Sequence, residues 1–225
     1  MAVAPAFAIV TLVLLGAALV TVRSTSAQST ETPTCSTGAA VPDPDNNPGL
    51  VSDCEALLAS RDTLAGDATL NWSVDVSFAD WDGITVSGTP QRVTELILDT
   101  MGLNGEVPSE FGGLAELEVI RLFDNDLTGE IPEELSNLIN LQFLDLRGNR
   151  LTGAILEELG GLTRLQLLLL GHNELNGQIP AELGELENLQ SLVLEGNQLV
   201  GEIPASLANL EKLRKLDLED NKLTG

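Results

Sequence analysis

Side chains that could do chemistry are few and scattered along the chain. The 225 residues include one histidine, His172, and two cysteines, Cys35 and Cys54. His172 lies in no motif that supplies a serine nucleophile with an acid, and phosphate-binding loops and zinc-protease motifs are absent from the sequence. The adjacent carboxylates Glu133–Glu134 and Glu157–Glu158 fall in segments predicted to be solvated turns. The sequence therefore predicts a protein that is not an enzyme and that needs no metal and no cofactor.

The charge balance restricts the classes of partner. Acidic residues number 34 and basic residues 11, which gives a formal net charge of -23. Nucleic acids and anionic membrane surfaces are bound through Lys and Arg footprints, so the sequence predicts no nucleic-acid partner. A soluble, self-repelling surface explains the acidity, and a basic partner or screening by divalent cations is the alternative.

The first residues predict export. Residues 1–27 contain an apolar run from Ala2 to Val22, and the pair Thr25-x-Ala27 fits signal-peptide cleavage after Ala27. No Lys or Arg precedes the run, and the run is long enough to span a bilayer, so a retained N-terminal anchor stays open. Both alternatives make the chain secreted or cell-surface, on the extracellular side. Membrane attachment would use this segment or a part that follows Gly225.

The segment after the apolar run predicts a linker. Residues 28–50 are rich in Pro, Thr and Asp, and we expect them to be disordered. In an exported chain, the lone pair Cys35 and Cys54 predicts a disulfide between this linker and the first helix, with two free thiols as the alternative. Asn71 begins the sequon Asn-Trp-Ser, which makes it the candidate glycosylation site.

Internal repetition is the dominant signal of the sequence. From Val93 to Gly225 the chain repeats every 24 residues without gaps, as six units of which the last is incomplete. In each unit, inward and outward residues alternate over a short strand. A recurrent asparagine follows the strand, and we expect a stacked ladder that satisfies buried backbone groups: Asn125, Asn149, Asn173, Asn197 and Asn221.

These units resemble the plant-type leucine-rich repeat, LxxLxxLxLxxNxLtGxIPxxLgxL. The resemblance implies an α/β solenoid, a right-handed horseshoe with a concave parallel β-sheet and short helical or 3-10 turns on its convex side. Residues 51–92 resemble the family's N-terminal cap in ALL…LNW…DWDGITV…RVTEL, with Trp72 and Trp81 covering the first repeat. Ala79 and Val86 stand where that family carries a cysteine pair. Since no terminal cap follows Leu218, the sequence predicts a truncated chain or end-to-end pairing.

The outward strand positions predict a binding surface. Apolar side chains stand in repeats two to four where the fold requires none, flanked by basic and titratable ones, as in interface hot spots. We expect ligand binding at Arg121, Phe123, Phe143, Asp145, Arg147, Leu167, Leu169 and His172. The alternative is tolerated apolar exposure beside a surface network of Arg121, Asp145 and Arg147.

The resemblance implies a non-catalytic recognition module, similar to receptor-like ectodomains, that binds a peptide, protein or glycan on the concave face. Two alternatives stay open. One is a structural or adhesive surface protein whose repeats are spacers, and the other is a secreted inhibitor of hydrolases, similar to polygalacturonase-inhibiting proteins. Outward residues differ from repeat to repeat, which favours recognition over a spacer role.

Overall fold

The computed structural model describes residues 34–224. The segment 1–27, predicted to be a signal peptide or an anchor, lies outside these residues. Among the described residues, no helix combines the length and the apolar character needed to cross a membrane.

The N-terminal cap begins with helix α1, Pro48–Ala65. Pro48 is the first residue of the helix, a position where the missing N–H of proline costs nothing. It ends at Gly66, whose φ of 59° is a left-handed conformation that favours glycine.

The described part of the predicted linker is folded, so the expectation of disorder is wrong for residues 34–50. Ala40 and Val41 are buried in the same core as the helix. Cys35 is bonded to Cys54 of α1, and the backbone N–H groups of Ala39 and Ala40 donate to the carbonyl of Val74. Small and apolar residues between the prolines give this segment enough buried surface to pack, which its overall composition conceals.

A buried ion pair joins the cap to the repeats. Asp53 of α1 is 1% exposed, and its carboxylate accepts two hydrogen bonds from the Arg92 guanidinium, at 2.9 and 2.7 Å. The backbone N–H of Val93 donates to the same carboxylate at 2.8 Å. The hydrogen bond to Asp53 raises the pKa of Arg92 against the opposing effect of burial. Asp53 therefore fixes α1 against the first strand of the repeats.

A seven-stranded sheet runs through the whole array. Strand β1, Ile84–Ser87, pairs antiparallel with β2, Arg92–Ile97. The following strands are all parallel: β3 Val119–Arg121, β4 Phe143–Asp145, β5 Leu167–Leu169, β6 Ser191–Val193 and β8 Lys215–Asp217. Each parallel register joins residues one repeat apart, as in Phe143 beside Leu167. The 24-residue period therefore becomes a set of straight columns across the sheet.

The other sides of each coil are built from short elements. Five 3-10 turns follow the sheet strands, at Ser109–Gly113, Glu133–Asn137, Glu157–Gly161, Ala181–Glu185 and Ala205–Asn209. A second ladder consists of the parallel strands β7, Val200–Glu202, and β9, Lys222–Thr224, with single bridges in the earlier repeats. This arrangement is the solenoid that the resemblance to leucine-rich repeats implies.

The core is a stack of leucine layers closed by the asparagine ladder. Asn149 is 8% exposed; its side chain accepts the N–H of Leu127 and donates to the carbonyls of Leu122 and Leu146, each at 3.0 Å. Equivalent bonds are made by Asn125, Asn173, Asn197 and Asn221. Because each amide joins two coils, the ladder satisfies backbone groups that the turn would leave unpaired.

The two tryptophans cover the N-terminal end of this core. Trp72 and Trp81 are 0% and 3% exposed, and their rings are stacked with centroids 5.9 Å apart. Each indole N–H donates to a backbone carbonyl, which a buried indole requires. Both rings are therefore occupied by the fold and are not available to stack on a ligand.

Candidate binding site on the concave face

The register of the sheet assembles an apolar strip from residues far apart in sequence. Val119, Phe143 and Leu167 are partners in adjacent strands, and all three are half-buried. Leu169, also half-buried, lies on the same face two residues after Leu167. Neighbouring strands are about 4.8 Å apart, so these side chains lie next to one another on one surface. Three of the sequence-predicted residues, Phe143, Leu167 and Leu169, are thus brought together in repeats three and four, and Val119 extends the strip to repeat two.

Arg147 is the most constrained basic residue of this face. Its guanidinium donates to both oxygens of Asp145, at 2.9 and 2.7 Å, and lies 5.0 Å from the centre of the Phe123 ring. The hydrogen bond to Asp145 raises the pKa of Arg147, against the desolvation that burial imposes. Cation, carboxylate and aromatic ring therefore form one preorganised cluster.

Arg121 belongs to a separate pair. The alternative prediction placed Arg121 in one network with Asp145 and Arg147, and the register does put Arg121 beside Asp145. Its guanidinium bonds instead to Asp99 of the preceding repeat, whose carboxylate also accepts the N–H of Phe123. The three-residue network is therefore wrong: Asp145 is engaged by Arg147, and Arg121 by Asp99.

His172 lies at the edge of the face, in the turn after β5. Its φ of 54° is left-handed, at a position where neighbouring repeats carry Gly148 and Gly196. The ring is 68% exposed, with Nε2 3.6 Å from Oε1 of Glu195, which is longer than a hydrogen bond. Gly196 provides room for the ring, since a Cβ there would lie 2.6 Å from Nδ1 of His172.

Glu195 is the feature of this face that sequence reasoning missed. Its side chain is 18% exposed, and Oε2 is shielded from solvent without a hydrogen-bond partner in the described chain. The carboxylate lies over Gly171, where an added Cβ would be 2.4 Å from Oε2. A signal was present in the sequence, because Gly171 interrupts a column that reads Asp99, Phe123, Arg147, Gly171, Glu195 and Glu219.

The remaining predicted residues lie away from this face. Asn71 is exposed in the cap, where its amide donates to the carbonyl of Asp80 and accepts the N–H of Asp82; its glycosylation stays a prediction. Glu133–Glu134 and Glu157–Glu158 begin 3-10 turns on the convex side. Within residues 34–224, no group of three or more His, Cys, Asp or Glu side chains is arranged to hold a metal ion.

Parallel strands in one-repeat register, an asparagine ladder and convex 3-10 turns define the class: a leucine-rich-repeat solenoid. The family model described as Leucine Rich Repeat matches residues 116–138, 140–162, 164–186 and 188–210. The chain is also similar to solved structures of plant proteins.

The leucine-rich-repeat ectodomain of the receptor kinase SOBIR1 from Arabidopsis thaliana is 30% identical, with a TM-score of 0.67 over 76% of this chain and 94% of that one. A plant ice-binding protein is 35% identical, with a TM-score of 0.72 over 77% of this chain and 57% of that one. The Arabidopsis receptor kinase HAESA, in complex with the peptide hormone IDA and the co-receptor SERK1, is 33% identical, with a TM-score of 0.71 over 77% of this chain and 30% of that one.

The chain therefore belongs to the plant-type leucine-rich-repeat proteins. It spans little more than half the length of the ice-binding protein and less than a third of the HAESA chain.

Proposed function

We propose that this protein is an extracellular recognition module that binds an extended peptide, or an extended segment of a protein, on the concave face of repeats two to four. The observation that carries the proposal is the apolar strip of Val119, Phe143 and Leu167 beside the cluster of Phe123, Asp145 and Arg147. Half-buried aromatic and aliphatic groups next to an ordered arginine have the composition of interface hot spots.

The preorganisation of this face supports binding. Arg147 is held by Asp145 and by the Phe123 ring before any ligand arrives, so little side-chain entropy remains to be lost on association. The three strands beneath the strip, β3, β4 and β5, are each paired on both sides, which holds the strip in place. HAESA, whose structure contains a peptide hormone and a co-receptor, supports the peptide class of ligand and the receptor-like context.

The test is selection of peptides on the full chain. A phage-displayed library of linear peptides is panned against the wild type, a Phe143→Ala/Leu167→Ala variant and an Ile139→Ala control. Ile139 is 67% exposed and follows a convex 3-10 turn, so its variant removes exposed apolar surface away from the proposed site. We expect the double variant to weaken binding of the selected peptides by at least about tenfold, with the control unchanged. The concave site would be rejected if both variants weakened peptide binding equally, or if neither variant weakened it.

A second candidate function is ice binding, because the second ladder carries a column of hydroxyls. Thr128 and Thr152 project from equivalent positions of successive repeats, and each hydroxyl donates to a carbonyl of the previous repeat at 3.2 Å. Thr224 ends the column, but Asn176 and Val200 interrupt it. Fixed hydroxyls at one-repeat spacing can hold ordered water, and one relative is a plant ice-binding protein.

Inhibition of ice recrystallisation by the full chain tests this candidate. Thr152→Lys places a bulky charge in the middle of the column, and Thr163→Lys, at an exposed position just after a convex 3-10 turn, is the control. Inhibition that Thr152→Lys abolishes and the control retains would support ice binding. A wild-type chain without inhibition eliminates it.

A further inference from the structure

The Glu195 carboxylate is in an unusual state for a charged group. Its side chain is more than four-fifths buried, and Oε2 has neither solvent nor a hydrogen-bond donor within the described residues. An ionised carboxylate offers about four acceptor sites, and buried charges in proteins are normally paired. Two other carboxylates of the face are paired in this way: Asp99 with Arg121, and Asp145 with Arg147.

The surroundings of Glu195 do not supply the missing donor. His172 is 3.6 Å from Oε1, beyond hydrogen-bond distance. Arg147, the arginine of the same column, is separated from Glu195 by the Gly171 position and directs its hydrogen bonds to Asp145. Gly171 has no side chain, and the space that a Cβ would occupy is filled by the carboxylate.

We propose that Glu195 is the receptor for a lysine or arginine side chain of the bound peptide, at the gap above Gly171. This inference rests on the proposed function and specifies its ligand class: a peptide with a basic residue next to apolar ones. Leu169 of the apolar strip is two residues from Gly171, roughly 7 Å along the chain, so one extended peptide reaches both. When the Glu195 side chain swings out of the gap, Oε2 accepts hydrogen bonds from the ligand cation.

Charge complementarity across the face supports a basic ligand. Both arginines of the patch are already paired with carboxylates of their own sheet, so they offer little to an acidic peptide. Glu195, by contrast, has no salt-bridge partner among the lysines and arginines of the described chain. A cation therefore gains more than an anion on this surface.

The experiment separates the charge of Glu195 from its shape. Peptides selected on the full wild-type chain are sequenced. One selected peptide is synthesised in its original form and in a second form in which a basic residue is replaced by glutamine. Affinities are measured for the wild type, Glu195→Gln and Glu219→Gln. Glu219 is the matched control, because it occupies the same column one repeat later and is exposed.

We expect an excess of Lys or Arg among selected peptides, and a loss of at least about tenfold in affinity when one of these is replaced by glutamine. The Glu195→Gln chain should bind both peptides equally, and Glu219→Gln should still distinguish them. Gly171→Ala, which puts a Cβ 2.4 Å from Oε2 and displaces the carboxylate, should also change affinity for the basic peptide selectively.

Three results would overturn the inference. Peptides that bind through Phe143 but show no basic excess leave the proposed function intact and remove the cation receptor. If the Glu195→Gln chain still prefers the basic peptide over its glutamine form, another carboxylate is responsible for that preference. Selection that yields no peptide sensitive to Phe143→Ala/Leu167→Ala rejects the proposed function, and this inference with it.

Discussion

Asp145 accepts two hydrogen bonds from the guanidinium of Arg147, two residues later in the chain, and a third from its backbone N–H. The pair forms because both side chains leave the sheet on the same face, and Asp145 is 7% exposed while Arg147 is covered on one side by Phe123. The pair is therefore both a structural element and the part of the proposed site that is ordered before binding.

Asp145→Asn is expected to lower the free energy of unfolding by about 1–2 kcal/mol, because a charge-assisted bidentate pair becomes a neutral contact in a partly buried place. The control is Asp126→Asn. Asp126 pairs with Arg150, but these side chains are 52% and 63% exposed, and we expect less than about 0.5 kcal/mol. Urea denaturation of both variants measures the difference, and equal effects would contradict the distinction drawn between the two pairs.

The asparagine ladder gives a second prediction. Asn173→Ala removes the acceptor of the Leu151 N–H and the donor to the carbonyls of Leu146 and Leu170. Because these backbone groups stay buried, we expect a loss of about 2–4 kcal/mol in unfolding free energy. At Asn221, which is half-buried at the end of the described chain, water replaces the amide, so Asn221→Ala should cost clearly less. Chemical denaturation that ranks Asn221 at or above Asn173 would be evidence against the ladder as the source of stability.

The cap should be sensitive to one methyl group at its contact with the first repeat. A Cβ at Gly105 would lie 1.8 Å from the carbonyl oxygen of Thr63 in α1, which is backbone and cannot rotate away. Gly105→Ala is therefore expected to destabilise the protein by about 2–3 kcal/mol. Gly113 has no atom within 4 Å of the equivalent position, and Gly113→Ala should be neutral or stabilising by up to about 1 kcal/mol. Thermal unfolding of the two alanine variants checks this contrast.

The disulfide should stabilise the cap locally. Cys35 and Cys54 are 19 residues apart, and opening a loop of this size costs about 3 kcal/mol by loop entropy. We expect the Cys35→Ala/Cys54→Ala variant to lose amide protection from hydrogen exchange in residues 34–65. The repeats around β5 and β6 should keep their protection, because coils in a solenoid contact only their neighbours. Uniform loss of protection along the array would show that cap and repeats unfold as one unit.

Sequence patterns predicted the repeat architecture because each rule is local and repeated. The leucine spacing and the asparagine column recur every 24 residues, so an exception in one repeat is outweighed by the agreement of the others. The first repeat, with Met101 in the asparagine column, departs from consensus, and there the N–H of Met101 donates to Asn125 of the next coil. The fold of residues 34–50 was missed because it is not repeated and depends on contacts with α1 and Val74.

By itself, the sequence determined the repeating coil, because the 24-residue period is unbroken. It also determined which strand residues point inward and which point outward, because the two kinds alternate. Only the tertiary structure decided which outward charges pair with one another. Arg121 is paired with Asp99 and not with the adjacent Asp145, whereas Arg147 donates to Asp145 and lies over the Phe123 ring. The pairing depends on side-chain rotamers and on distances between charged groups. Those distances differ by a few ångströms among carboxylates that look equally suitable in the sequence. The unpaired state of Glu195 above Gly171 arises from the same geometry, and it became visible only once the columns were placed side by side.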